Sequence, residues 1–315
     1  MKKSNRKTAL LTGGNGNLGR LVADKLLDMD MRVVKFDVPG TEPATVRDNE
    51  EIVTGDIRDV AHMEELLRQY RPDIAYHFAS LLSGSSEADP EAAWDINATG
   101  SFHLLRLAAK LRIDRFFFAS TSASYGGALV DPLPENAEQW PENLYGATKT
   151  AVERVGVYFK LRHDLDFRCL RFPLVLSPFA PQAAVTAYPS HAFRAALNGE
   201  YFTFPVSPGI GMSTIFLEDV VDGIVKFTLA PRVAIKQHAY NLHSYFVSAQ
   251  SVADAISRRI HEFRYDFKPI ATVEALLEAW PNVIVDSSAR RDWGWDPRYD
   301  FEKSADRMLE LLRPL

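Results

Sequence analysis

The chain has 315 residues, 46% of them hydrophobic and 24% charged, with a net charge of −5. This is the balance of an ordinary globular protein, and its acidity argues against nucleic acid or an anionic membrane as a partner. A single cysteine, Cys169, excludes an intrachain disulfide and any cysteine-based metal cluster, so no metal is expected. The short basic start (Lys2, Lys3, Arg6, Lys7) is not followed by an apolar run long enough for a signal peptide, and no run reaches membrane-spanning length. A cytoplasmic location is the resulting expectation.

Thr8–Thr12 reads as a short apolar strand and Leu18–Asp28 as a helix with Leu21, Val22 and Leu26 on one side. The turn between them is Thr12-Gly13-Gly14-Asn15-Gly16-Asn17-Leu18-Gly19. Glycines directly after a strand and opening a helix form a pyrophosphate-binding turn. Gly13 makes the tight bend, Gly16 admits the pyrophosphate and Gly19 lets strand and helix pack closely. The helix N-terminus offers free N–H groups and a positive dipole end. Met31–Val38 is the second strand. It carries Asp37, eighteen residues after Gly19, where a carboxylate binds ribose hydroxyls. Val38-Pro39 follow, not an arginine to hold a 2′-phosphate, so NAD is expected over NADP.

Glu51–Thr54 is the third strand, ending in Gly55-Asp56, and a helix near Val60–Tyr70 follows. Asp73–Ser80 is the fourth strand, Glu91–Leu111 a long helix, Arg115–Ser120 the fifth strand, Tyr145–His163 a second long helix and Asp166–Phe172 the sixth strand. This alternation predicts an α/β fold: a Rossmann-type, doubly wound parallel sheet. Beyond Pro173 prolines punctuate short segments, which suits a smaller C-terminal substrate-binding region. Helices are expected near His191–Leu197, Val220–Leu229, Ser251–Glu262 and Ser304–Leu312, and a strand at Ala239–Leu242. The expected division is residues 1–175 for the dinucleotide and 176–315 mainly for substrate, with some segments returning to the first domain.

Tyr145 and Lys149 lie one turn apart on the same face of their predicted helix. An ammonium there is expected to stabilise the Tyr145 phenolate and lower its pKa from about 10 towards neutrality. A tyrosine so tuned takes a proton from an alcohol or returns one to a carbonyl. Cys169 reads as a buried strand residue, and Trp293 and Trp295 as packing residues. His77 reads as a strand residue, and Arg171 as either a structural ion pair or the border of the active site.

Together these motifs resemble the extended short-chain dehydrogenase/reductase superfamily over about residues 8–175. The spacing Gly13-x-x-Gly16-x-x-Gly19, with Asn17 and Leu18 inside it, is similar to that family's fingerprint. Gly55-Asp56-Ile57 resembles its third-strand end, which implies that Asp56 contacts adenine with Ile57 beside it. His77-Phe78-Ala79-Ser80 resembles the segment beneath the cofactor, and Asn97 the asparagine that supports the lysine through water. The resemblance adds Phe172 to the cofactor set. Placing Tyr125-Gly126 on the family's Tyr/Phe-Gly puts Thr121 in the catalytic hydroxyl role, with Ser122 as the alternative one residue on. The implied catalytic set is Thr121, Tyr145 and Lys149, the last two also touching NAD.

A narrower resemblance, to the short-chain type of L-threonine 3-dehydrogenase, runs to the C-terminus through His77–Gly84, Leu170–Pro173 and Trp280–Trp295. It implies oxidation of a secondary alcohol on a small polar, threonine-like amino or hydroxy acid. Substrate would lie among Ser80, Ser83, Thr121, Ser122, Tyr145 and Thr186. The chain departs from that family at Val185-Thr186-Ala187-Tyr188, where the family has Thr-Thr-Asp-Tyr. Two other readings share these motifs: a nucleotide-sugar epimerase or dehydratase with tightly bound NAD, and a non-catalytic NAD-binding protein. The first needs a cation for a diphosphate, yet Gly209–Thr214 holds none. The second has no use for a tuned tyrosine. Apolar residues around both long helices, with Trp94, Ala98, Phe102 and Leu105 in one stripe and Ala151, Val152, Val155 and Phe159 in another, predict a homodimer built on them.

Overall fold

Runs such as Ala9-Leu10-Leu11 and Phe116-Phe117-Phe118, fully buried on both faces, are what a parallel sheet covered by helices requires. The computed structural model describes residues 6–127, 129–181 and 184–313. Six strands come from the first part of the chain: β1 (Thr8–Thr12), β2 (Arg32–Asp37), β3 (Glu50–Thr54), β4 (Ile74–His77), β5 (Arg115–Thr121) and β6 (Asp166–Phe172). The sheet runs in the order β6-β5-β4-β1-β2-β3, with the short strand Tyr240–Asn241 added beyond β6. Neighbours β1/β2, β1/β4, β2/β3 and β4/β5 are all parallel. This is the doubly wound arrangement expected, with the chain reversing direction of build between β1 and β4.

The helices in this part are α1 (Asn17–Asp28), α2 (Val60–Tyr70), α3 (Ser83–Ala88), α4 (Pro90–Ala93), α5 (Ser101–Lys110) and α6 (Leu144–His163). The expected helix over 91–111 is not uniform. Asp89 caps α4 through the Ala92 N–H, Pro90 occupies the first turn, and a π-helical turn over Trp94–Gly100 joins α4 to α5. One core packs α2, α5 and α6 on the sheet through Leu66, Leu105, Val152, Phe116, Phe118 and Phe167. Gly156 on α6 is required there, since a Cβ would come within 2.2 Å of the Phe167 ring.

The chain forms two compact units. The first comprises the described residues up to Ser124, together with Pro141–Arg171 and Ile224–Tyr240; the second comprises those of Tyr125–Trp140, Phe172–Gly223 and from Asn241 onward. Within the second unit, Tyr245–Ser248, Gly211–Phe216 and Leu174–Leu176 form a three-stranded sheet in that order, and Tyr265–Phe267 pairs with Phe202–Phe204. Its core gathers Tyr188, Phe193, Phe204, Phe216, Val252 and Met308. Trp293 and Trp295 are buried there, Trp295 donating to Asp286 at 2.9 Å. No described helix is long and apolar enough to cross a membrane.

Candidate active site

The glycine turn is set by contacts that leave no space for side chains. Gly13 has a φ of +69°, and a Cβ on it would lie 2.6 Å from the Ala79 nitrogen. At Gly19 a Cβ would meet the Gly13 carbonyl at 2.2 Å. Gly16 is different: its nearest neighbour would be that same carbonyl at 3.2 Å, so its outer side is open. It also caps α1 in extended conformation without any side-chain hydrogen bond, so no capping side chain covers the helix N-terminus. This cradle fits a pyrophosphate. Asp37, half-buried at the end of β2, accepts the Asn15 N–H at 2.9 Å, which fixes its carboxylate beside the turn.

Asp56 is held by Arg58, which lies 2.6 Å away and pulls its carboxyl below the ordinary range. Ile57 is buried and Phe78 half-buried, with Phe78 packed against Tyr76 and Phe117. Phe78 and Ala79 both donate to the Thr12 carbonyl, which ties the segment after β4 to the start of the glycine turn. His77 is fully enclosed, bonded to Thr12 at 2.6 Å and to Ser101 at 2.7 Å, and burial holds its ring neutral with a pKa of about 3. It is a strand residue, as expected.

Asn97 sits in the π-helical turn and is buried. Its amide accepts the Leu81 N–H at 2.7 Å and donates to the Leu81 carbonyl at 3.0 Å. The asparagine thus pins the backbone next to Ser80. Ser80 hydrogen-bonds the Tyr145 hydroxyl. Ser83, by contrast, is exposed at the start of α3.

Thr121 ends β5 and is half-buried, its hydroxyl accepting the Ala123 N–H at 3.2 Å; Ser122 opens the 3-10 turn that follows. Helix α6 begins against that turn. Asn143 caps it by accepting the Gly146 N–H at 2.7 Å, and a Cβ on Gly146 would stand 2.3 Å from the Ala123 carbonyl. A glycine immediately after Tyr145 is what lets the helix start approach the end of β5 so closely. Thr121, Tyr145 and Lys149 are thereby gathered in the first unit. Phe172, buried, and Thr186, half-buried in a short 3-10 turn, belong to the second.

Lys149 is only 4% exposed; its ammonium donates to the Ala119 carbonyl at 2.9 Å and lies over the rings of Phe118 and Tyr145. Burial brings it down to about 8, with the Glu153 carboxylate acting the other way. Burial also pushes the Tyr145 hydroxyl up to about 12, with the Ser80 hydrogen bond acting the other way. The lowering expected from the Tyr145–Lys149 spacing is therefore not produced by this environment. Withdrawing the phenol from water outweighs the stabilisation of its anion.

One buried residue beside this site, Glu153, escapes a reading of motifs. Glu153, one turn beyond Lys149, accepts from Ser120 and forms a two-pronged pair with Arg171, the closest contact being 2.6 Å. This settles Arg171 as an ion-pair residue. The one available signal was a carboxylate at i+4 from Lys149 amid alanine and valine. Cys169 is buried in β6, and its thiol is pushed well up by burial.

The family described as NAD dependent epimerase/dehydratase matches residues 9–242. An uncharacterized epimerase/dehydratase of Staphylococcus saprophyticus is 30% identical over 312 residues, covering 97% of each chain. The mitochondrial L-threonine 3-dehydrogenase of Sus scrofa is 28% identical over 320 residues, covering 98% of this chain and 83% of that protein. The crystal structure of L-threonine dehydrogenase from Clostridium difficile superimposes with a TM-score of 0.90 at 27% identity, covering 98% of both chains. The chain belongs to the NAD dependent epimerase/dehydratase family and is an NAD-dependent enzyme of the extended short-chain dehydrogenase/reductase type.

Proposed function

We propose that the protein oxidises the secondary alcohol of a small polar substrate, an L-threonine-like amino or hydroxy acid, with Thr121, Tyr145 and Lys149 as catalytic residues. The observation that carries this reading is the setting of Tyr145: it lies at the capped start of α6, with the Lys149 ammonium over its ring and its hydroxyl bonded to Ser80, next to the segment that Asn97 pins. The threonine dehydrogenase relatives, matched along nearly the whole chain, support the substrate class.

NAD supplies the hydride acceptor. Thr121 holds the substrate oxygen, with Ser122 and Ser80 offering further hydroxyls. Tyr145 takes the alcohol proton in oxidation and returns it in reduction. As a phenol pushed up to about 12, Tyr145 is held protonated, the form that returns a proton to a carbonyl; abstraction of the alcohol proton needs its phenolate, which depends on the nearby ammonium and the Ser80 hydrogen bond. Lys149 binds the nicotinamide ribose. Gly13, Gly16 and Gly19 receive the pyrophosphate, Asp37 the ribose, and Asp56 with Ile57 the adenine.

The active form is a homodimer. Trp94 and Phe102 are 48% and 39% exposed, and Tyr158 and Leu161 of α6 are 52% and 68% exposed. These large apolar groups on the π-helical turn, α5 and α6 of the same unit are the surface a second copy would cover.

A nucleotide sugar is the poorer fit. The approach to Leu217 is the buried strand Gly211–Phe216, which contributes no cation for a diphosphate. The test is a screen of purified protein with NAD against small hydroxy and amino alcohols, following reduced nicotinamide. Nucleotide sugars belong in parallel wells, read for epimerised product. Turnover of an amino or hydroxy acid supports the reading, and epimerised sugar with no such turnover overturns it.

A further inference from the structure

We propose that Glu153 is a positioning residue for Lys149: clamped by Ser120 and Arg171, its carboxylate keeps the Lys149 ammonium charged and fixes α6 against the catalytic end of β5. The inference rests on the reading of Tyr145 and Lys149 as the catalytic pair.

Three successive residues of β5 carry the argument. The carbonyl of Ala119 accepts from Lys149 at 2.9 Å, the hydroxyl of Ser120 donates to Glu153 at 2.5 Å, and the next residue is Thr121. Lys149 and Glu153 are one turn apart on α6, so the helix is fastened to the strand at two points directly below the reacting hydroxyl. Glu153 is fastened in turn to β6 by the Arg171 guanidinium, through Nε at 3.0 and 3.1 Å and Nη2 at 2.6 Å. Both charges are buried, Glu153 at 2% and Arg171 at 8% exposure. A buried ion pair contributes little net stability compared with apolar packing, so its value lies in what it orients.

Electrostatics point the same way. The charged or titratable groups around Lys149 are Tyr145 and Glu153 on its own helix, Cys169 and Arg171 on β6, and His77 on β4. Burial holds the Cys169 thiol and the His77 ring neutral at physiological pH. Glu153 is therefore the one anion among the described neighbours able to offset the desolvation of Lys149. Without it the ammonium would lose its proton more easily, and with that proton the charge that favours the Tyr145 phenolate.

The test uses full-length protein labelled with 13C at lysine Cε, titrated by NMR, with Lys149→Arg assigning the resonance. No turnover is needed. The Lys149 midpoint is expected near 8 in the wild type and lower by about one pH unit in Glu153→Gln. Should Glu153→Gln fail to fold because the Arg171 charge loses its carboxylate, the double variant Glu153→Gln with Arg171→Met is compared with Arg171→Met alone, and the double variant is expected to show the lower midpoint. A midpoint unchanged or raised in the folded variant overturns the proposal. Loss of turnover in Tyr145→Phe is measured separately, so the catalytic reading and this inference can fail independently.

Discussion

The Lys149 ammonium sits 5.4 Å from the centre of the Tyr145 ring and gives its hydrogen bond to the Ala119 carbonyl. Both residues are displaced from their ordinary acidity by the same cause, withdrawal from water, and each is displaced towards its neutral form. The site thus keeps two groups that prefer to be uncharged at a place where charge is needed. Such an arrangement costs stability, and that cost is measurable.

Lys149→Met should stabilise the fold at neutral pH by about 1–2 kcal/mol while destroying activity. The folded-state pKa of Lys149, about 8, lies below its ordinary value of 10.5. The unfolded chain therefore binds the proton more tightly, and the penalty is complete below pH 8. It fades as pH rises from 8 to 10.5 and is absent above that. Urea unfolding of both proteins at pH 7 and pH 10 checks this: the gain should shrink at the higher pH.

Gly146→Ala should lower kcat more than tenfold and lower the melting temperature, although alanine is intrinsically the better helix former by up to about 1 kcal/mol. The added Cβ would press on the Ala123 carbonyl at 2.3 Å and push the start of α6 away from Thr121. Steady-state kinetics and a thermal melt suffice. A variant as stable and active as the wild type would show that this close approach is not needed.

Asp37→Ser should raise catalytic efficiency with NADP at least tenfold relative to NAD, a change of about 1.4 kcal/mol or more in discrimination. The carboxylate lies at the mouth of the glycine turn, held by the Asn15 N–H, where a 2′-phosphate would meet like charge. Paired measurements of kcat/KM with the two cofactors decide it. An unchanged ratio would remove Asp37 from cofactor selection.

Leu161→Glu with Phe102→Glu should convert the proposed homodimer to monomer. Both side chains are exposed on neighbouring helices of one unit, at 68% and 39%. Light scattering after size exclusion should give the mass of two chains for the wild type and of one for the variant. A wild-type mass of one chain at micromolar concentration would end the proposal.

The sheet was legible because strand and helix patterns alternate along the first part of the chain, Thr8–Thr12 and Asp166–Phe172 matching to the residue. The glycine turn was legible because close backbone approach admits only glycine at Gly13 and Gly19. The π-helical turn at Trp94–Gly100 was not, since the apolar spacing of a helix barely changes across one wide turn. The strands of the second unit, three to six residues long and separated by prolines, carry too little periodicity to be read. Long-range pairing was invisible as well. Nothing local to Glu153 says that its partner is Arg171, eighteen residues on in β6. The high pKa of Tyr145 also depends on burial, which spacing alone does not reveal.

The most direct measurement of the central claim is turnover by Tyr145→Phe, beside Thr121→Ala and Thr121→Ser, on a substrate found in the screen. Phenylalanine keeps the ring and its packing and removes only the hydroxyl that meets Ser80. The account predicts a loss of at least about 100-fold in kcat with NAD affinity nearly intact, a similar fall for Thr121→Ala, and partial retention for Thr121→Ser. Near-normal turnover by Tyr145→Phe would contradict it.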